Sequence, residues 1–427
     1  MSAVIPDRNR TVLLLAHAFP PSAVVGALRP AKFVKYLPHH GWKPVVVTSD
    51  QRAYPSGDDT LLRDVEGAEV LVTRSCETGP TLERLQRVRA RGRFAPVRFL
   101  ARSAAYVLDG VVAPDHAVGW VPWAASAAVK CTRGRDVSVI LATGGPFATL
   151  LAGLWTKRLT GVPLVVDYRD PWTLAPSFAP RPLRRVISQR MEAAVVRAAD
   201  AVVVVNDQMK QALVSQFGDE IGWRTHVIPN GYDLDEIPSR SRSRGDGRLR
   251  IVHVGLFNAR RTPESLWDFL AGLDPELAES IDVRLVGAGD GLAIPPDFQS
   301  FVSTTPRLPR RQAMQEMVDA DVLLILTGDY EDTNTKVFEY LATRLPIMLI
   351  GNPEAAAADL LRDVGAGVSV AATAPEAAID MLWECLRFPG ASRYAGYAPP
   401  SRYSRVHLAG QMAEILNGLA GGGRPHE

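Results

Sequence analysis

Cysteine is nearly absent. Cys76, Cys131 and Cys385 are far apart and odd in number, so neither a disulfide framework nor a metal-ligand spacing is expected, and the thiols suit a reducing compartment. Lysine is scarce too: seven occur, and only Lys336 lies in the second half. The net charge of +2 leaves no overall basic field to attract nucleic acid. No apolar run approaches the ~18 residues that span a bilayer. There is no G-x-G-x-x-G, which counts against a dinucleotide oxidoreductase, and no His/Asp cluster that demands a metal. Arg8 and Arg10 followed by the apolar run Thr11–Phe19 have the outline of a signal peptide. The run is short and closed by Pro20-Pro21, so it is expected to be a buried first strand of a cytoplasmic protein.

What is present is an ordinary globular composition, 47% hydrophobic and 22% charged, over 427 residues, long enough for two or three domains. Short Val/Leu/Ile runs alternate with helical patterns. Strands are expected at Thr11–Ala16, Lys43–Thr48, Glu69–Val72, Val137–Ala142, Leu164–Tyr168 and Ala201–Val205, with helices such as Leu28–His40 and Phe147–Thr160 between them. Near-continuous apolar strands separated by helices indicate a parallel sheet covered on both faces. The polar stretch 238–248 reads as a linker. The alternation then restarts at Arg250–Val254, Asp282–Val286, Asp321–Leu326, Ile347–Ile350 and Val368–Val370. The expected organisation is therefore an α/β chain of two doubly wound domains, 1–237 and 249–400. Tyr403–Leu419 has the periodicity of a closing helix.

In open parallel sheets ligands bind beyond the carboxyl ends of the strands, so the chemistry is sought in the loops that follow them. His17–Arg29 carries Gly26 and Ala27 before a helix, where backbone N–H groups favour anions. Thr143-Gly144-Gly145-Pro146 ends another strand. Asp167-Tyr-Arg169-Asp170-Pro-Trp172 places charge at a strand end, either toward a ligand or as an Arg–Asp tie between loops. Ile228–Asp233 contains the turn former Asn230-Gly231. Val254-Gly255 leads to Arg260-Arg261, which would suit a pyrophosphate unless the arginines only face solvent. Gly287 lies in a further Gly-rich strand end. The strongest segment is Glu331-Asp-Thr-Asn-Thr-Lys336-Val337-Phe338-Glu339. A lysine at a helix opening can neutralise phosphate, and a glutamate one turn later can accept hydrogen bonds from ribose hydroxyls. The plainer alternative is a capping threonine and a solvated lysine.

In their order and spacing, these segments resemble the family-4 retaining glycosyltransferases, which have the GT-B fold of two Rossmann-like domains facing across a cleft. The resemblance spans nearly the whole chain: Phe19-Pro-Pro…Gly26-Ala27…Arg29, Pro114-Asp115…Trp120, Asp167–Trp172, Ile228–Asp233, Arg260–Glu264, Val286–Gly289 and Lys336–Leu341. It implies transfer from a nucleoside-diphosphate sugar, as donor substrate and without a cofactor, to a hydroxyl acceptor, with retention and without a metal. Glu339 matches the second glutamate of the family's E-x₇-E motif, at the donor ribose, and Glu331 the first, beside the transferred sugar. Arg260 or Arg261 with Lys336 would hold the diphosphate. Gly26 and Ala27, with Gly255, Gly287, Val337 and Phe338, fall on the donor side; Arg29, Trp120, Gly145, Arg169 and Asp170 fall on the acceptor side, with Asp170 also beside the reacting sugar. The chain departs from the family at Ala27, where a second glycine is usual, and at Asn258–Arg261, which replaces the common Arg-x₄-Lys.

Other readings share these motifs: a sugar-nucleotide epimerase, a pseudo-glycosyltransferase joining a cyclitol, and a non-catalytic nucleotide-sugar binding protein. A pyridoxal-dependent phosphorylase would have to use Lys336, inside the ribose-glutamate motif. The arginine-rich, acid-free segment Arg84–Arg102 is a candidate peripheral membrane contact, set against a solvated basic helix or a loop meeting an anionic acceptor.

Overall fold

The computed structural model describes residues 10–50, 57–76, 112–175, 178, 182–243, 247–257, 262–289, 291–327 and 335–421. The chain divides into two compact units. The first comprises Met1–Pro229 and Leu408–Glu427, and the second comprises Asn230–His407.

The first unit is built on seven parallel strands in the order β3-β2-β1-β4-β5-β6-β7. They are β1 Arg10–Leu15, β2 Trp42–Ser49, β3 Glu69–Thr73, β4 Val137–Thr143, β5 Leu164–Tyr168, β6 Ala201–Val204 and β7 Thr225–Val227. Alternate residues of one strand feed opposite cores, as the pleat requires. Leu13 and Leu15 of β1 join the cluster under α2 (Val121–Gly134), α3 (Ala148–Thr160) and α4 (Pro182–Ala198). Val12 and Leu14 face α1 (Leu28–Tyr36) and the closing helix α12 (Arg405–Ala420). Both faces of β1 are thus apolar, which is why its sequence shows no alternation. Helix α5 (Asp207–Phe217) is capped by Asn206, whose side chain accepts from the Met209 N–H.

The second unit repeats the plan with six parallel strands in the order β10-β9-β8-β11-β12-β13. They are β8 Leu249–Val254, β9 Ile281–Val286, β10 Val302–Thr305, β11 Val322–Leu326, β12 Ile347–Ile350 and β13 Gly367–Val370. Its helices are α6 Glu264–Ala271, α7 Pro275–Glu279, α8 Arg310–Val318, α9 Thr335–Thr343, α10 Ala356–Val364 and α11 Glu376–Arg387. In both sheets the order reverses beside the first strand, at β1/β4 and at β8/β11, the switch points where doubly wound sheets open a crevice.

The polar stretch expected as a linker is fastened to the second unit. Arg240 and Arg242 both pair with Asp321, at 2.8 and 2.6 Å, and Ser241 donates to Asp319. Its lack of apolar periodicity reflects ion pairing in place of core packing. Leu28–His40 is an α-helix to Tyr36 and a 3-10 turn from Leu37, ended by Gly41 in the left-handed region at φ 78.

Candidate active site

In the second unit the charged groups gather at the opening of α9. Lys336 and Glu339 lie one helical turn apart and therefore on the same side of the helix. The Lys336 ammonium is 2.8 Å from one Glu339 carboxylate oxygen. The other oxygen accepts from Arg310, the first residue of α8, at 3.0 Å. Arg310 also grips Glu236 with Nε at 3.0 Å and Nη2 at 2.5 Å, so one guanidinium bridges two carboxylates. Burial works to raise the Glu339 carboxyl, but the charges and hydrogen bonds of Lys336 and Arg310 outweigh it and hold the group down at about 2. Glu339 is therefore an ionised, acceptor-only group, and each of its oxygens keeps a lone pair for a further donor such as a hydroxyl. Burial disfavours charge on Arg310, yet Glu339 and Glu236 push its pKa well above the ordinary value.

Helix α9 is locked to the sheet beside these charges. Tyr340 is buried, and its hydroxyl oxygen accepts from the Val254 N–H at the end of β8. His253 stacks on Phe257 at 5.1 Å and its Nδ1 lies 3.0 Å from the Leu324 carbonyl. Gly255 follows; a Cβ there would sit 3.2 Å from the His253 ring. Gly287, at the end of β9, has φ 70, a conformation side chains resist.

The first unit gathers a second group at the ends of β4 and β5. Arg169 donates to three carbonyls, those of Gly26, Gly144 and Gly145. A Cβ on Gly26 would lie 2.8 Å from its Nη1, and one on Gly145 would lie 2.6 Å from its Nη2. These glycines make room for a guanidinium of the chain itself. Asp170 comes next and is exposed. Asp115, whose carboxyl is raised chiefly by burial, accepts from the N–H groups of Phe147 and Ala148 and so caps α3.

Several residues expected to face a ligand are instead enclosed. Arg29 is 2% exposed; it is bidentate on Asp167 of β5 and also donates to the carbonyls of Ile228 and Pro229. Trp120 is fully buried, donates to the Thr73 hydroxyl at 2.7 Å and meets His17 edge-on. Both side chains are enclosed and present no acceptor surface. Ala27 is buried in a 3-10 turn. Val337 and Phe338 are buried, with Phe338 against Tyr403, so only their backbone N–H groups in the first turn of α9 are available to a ligand. Glu331, Arg260 and Arg261 lie outside the described residues, as does Arg84–Arg102. The structure thus joins Lys336 to Glu339, and Arg169 to Gly26 and Gly145. It adds Arg310 and Glu236, which the sequence reading missed; the signal was an arginine opening a helix directly after Pro309.

Comparison with known proteins fits this geometry to a family. Residues 31–236 match the model of Glycosyltransferase Family 4. Over that stretch, just under half of its length, the chain is similar to the family-4 glycosyltransferases. The two parallel sheets, of seven and six strands, have the GT-B architecture. The Anabaena HepE protein, solved in complex with UDP and glucose, superposes with a TM-score of 0.63 at 17% identity, covering 96% of this chain and 99% of HepE. Sucrose-phosphate synthase from Thermosynechococcus elongatus gives 0.61 at 16% identity, over 97% of this chain and 100% of that one. A putative UDP-N-acetylglucosamine 2-epimerase from Listeria monocytogenes gives 0.55 at 12% identity, over 98% and 99%. At these identities the likeness is one of fold. No curated protein matches the chain in sequence.

Proposed function

We propose that this glycosyltransferase moves a sugar from a uridine-diphosphate sugar to a hydroxyl acceptor, with retention at the anomeric carbon and without a metal ion. The observation that carries the reading is the Lys336–Glu339–Arg310 network at the opening of α9. Glu339, held ionised, accepts from the ribose hydroxyls. The backbone N–H groups of the first turn and the Lys336 ammonium meet the diphosphate. Lys336 is about a quarter exposed and can leave Glu339 for phosphate while Arg310 keeps the carboxylate paired. In the transfer, the bond between the anomeric carbon and the diphosphate oxygen breaks and a bond to the acceptor oxygen forms. The acceptor's proton passes to the leaving phosphate, whose growing charge the cations stabilise. UDP is favoured because HepE was solved with it.

The test is titration with UDP, GDP, ADP and TDP, followed by assay of the UDP-sugar with hydroxyl acceptors and analysis of the product's anomeric configuration. Selective UDP binding and acceptor-dependent UDP release are expected. Inversion would remove the retaining mechanism. The likeness to a 2-epimerase makes epimerisation the second reading, and UDP release that ignores the acceptor, with a C2-inverted sugar, would favour it.

A further inference from the structure

Helices α2, α3 and α4 lie side by side over one face of the first unit's sheet. The three together carry a single acidic residue, Glu192, and it is fully buried. Their exposed cations are Lys130 and Arg133 on α2, Arg158 on α3, and Arg185, Arg190 and Arg197 on α4. The nearest acids in sequence stand past the helix ends: Asp136 beyond α2, and Asp200 beyond α4, where Lys157 pairs with it at 2.5 Å. Among the described residues thirteen large hydrophobic side chains are well exposed, and five of them lie here: Trp123, Trp155, Leu159, Leu183 and Val186.

Helical geometry puts the two kinds of side chain in one stripe. Trp123, Lys130 and Arg133 are spaced i, i+7, i+10; Trp155, Arg158 and Leu159 are spaced i, i+3, i+4; Leu183, Val186 and Arg190 are spaced i, i+3, i+7. Each outward stripe therefore mixes cations with at least one indole or branched aliphatic side chain.

We propose that this α2–α3–α4 face docks on an anionic lipid bilayer, with Trp123, Trp155, Leu159 and Leu183 entering the headgroup boundary and the cations meeting the lipid phosphates. Charge complementarity selects the partner's sign, and the apolar side chains select its kind. Indole settles at the boundary between water and acyl chains, and aliphatic side chains are stabilised there. A nucleic acid would engage the cations and leave Leu159 and Leu183 in water. No helix among the described residues is long and apolar enough to cross a membrane, so the contact is peripheral. The inference does not depend on which sugar is transferred.

The test is co-sedimentation of the full chain with vesicles of phosphatidylcholine alone and of phosphatidylcholine mixed with phosphatidylglycerol, at physiological ionic strength. Binding to the mixed vesicles alone is expected. A basic residue near an anionic surface contributes about fivefold in partition, so Lys130→Ala with Arg158→Ala should weaken binding about 25-fold. Trp155→Ala with Leu159→Ala should weaken it without changing its salt dependence. All four side chains are on the surface, and unchanged melting would establish that both variants fold. Absence of binding to mixed vesicles would overturn the proposal. So would wild-type binding by both variants, which would place the contact elsewhere, or retention on nucleic acid with none on vesicles.

Discussion

Glu339 is buried, ionised and shared between two cations, and each feature bears on a different measurement. Replacing it with alanine removes the ribose acceptor, so UDP should bind about 10- to 100-fold more weakly, as expected for losing hydrogen bonds to a charged group. Unchanged affinity by calorimetry would remove Glu339 from the donor site. Lys336→Ala should instead act on turnover: losing one preorganised charge-stabilising donor costs about 10²–10³ in kcat. A kcat within a few-fold of wild type would exclude the phosphate role. Glu192 on α4 has the opposite electrostatics. Burial raises its carboxyl to about 7, while hydrogen bonds from the Thr173 N–H and hydroxyl pull the other way. The unfolded chain ionises this group near 4.5, so between 4.5 and 7 the folded state holds the proton more tightly. Stability from this group is then present below 4.5 and lost as pH rises through 7, by roughly 3 kcal/mol between the limits. Glu192→Gln still offers Thr173 an acceptor oxygen and should flatten that slope. Urea melts at pH 5.5 and 8 with equal differences for variant and wild type would sink the assignment.

The elements show why some strands could be read directly and others not. The central strands β1, β4, β8 and β11 are apolar on both faces, and their Val/Leu/Ile runs stand out in the sequence. The edge strands β7, Thr225-His-Val, and β10, Val-Ser-Thr-Thr, have one edge unpaired and only one fully buried residue each; nothing apolar marked them. Missing β10 hid the loop after it, and with it Arg310. Lys336 and Glu339 were legible because they share one helix opening after a buried strand. Arg29 was legible as a charged residue but not as a buried one, because its partner Asp167 stands 138 residues away. That pair joins α1, the end of β5 and the chain leaving β7. Arg29→Ala strands a buried carboxylate that keeps only the Thr143 hydroxyl, at 2.9 Å, and should cost about 3–5 kcal/mol. Denaturant melting would show it. A loss below about 1 kcal/mol would mean that the pair is not the tie described.

At the scale of the whole molecule, the two compact units each have their own sheet and their own cores. Every member of the Lys336–Glu339–Arg310–Glu236 network belongs to the second unit, and its ties to the sheet, such as Tyr340 to Val254, stay within that unit. A ligand stabilises whatever it binds in the folded state, by about 2.7 kcal/mol at 100-fold its dissociation constant. For a unit of this size that is a rise of roughly 5–10 °C in melting temperature. Calorimetric melting should therefore resolve two transitions, and saturating UDP should raise one of them selectively. At the same UDP concentration Glu339→Ala, binding about 10- to 100-fold more weakly, should cut the rise to about half or less and leave the other transition where it was. An equal rise in both transitions would mean that the donor's binding energy is not confined to the second unit. A selective rise that Glu339→Ala leaves undiminished would place the nucleotide in that unit but away from the opening of α9.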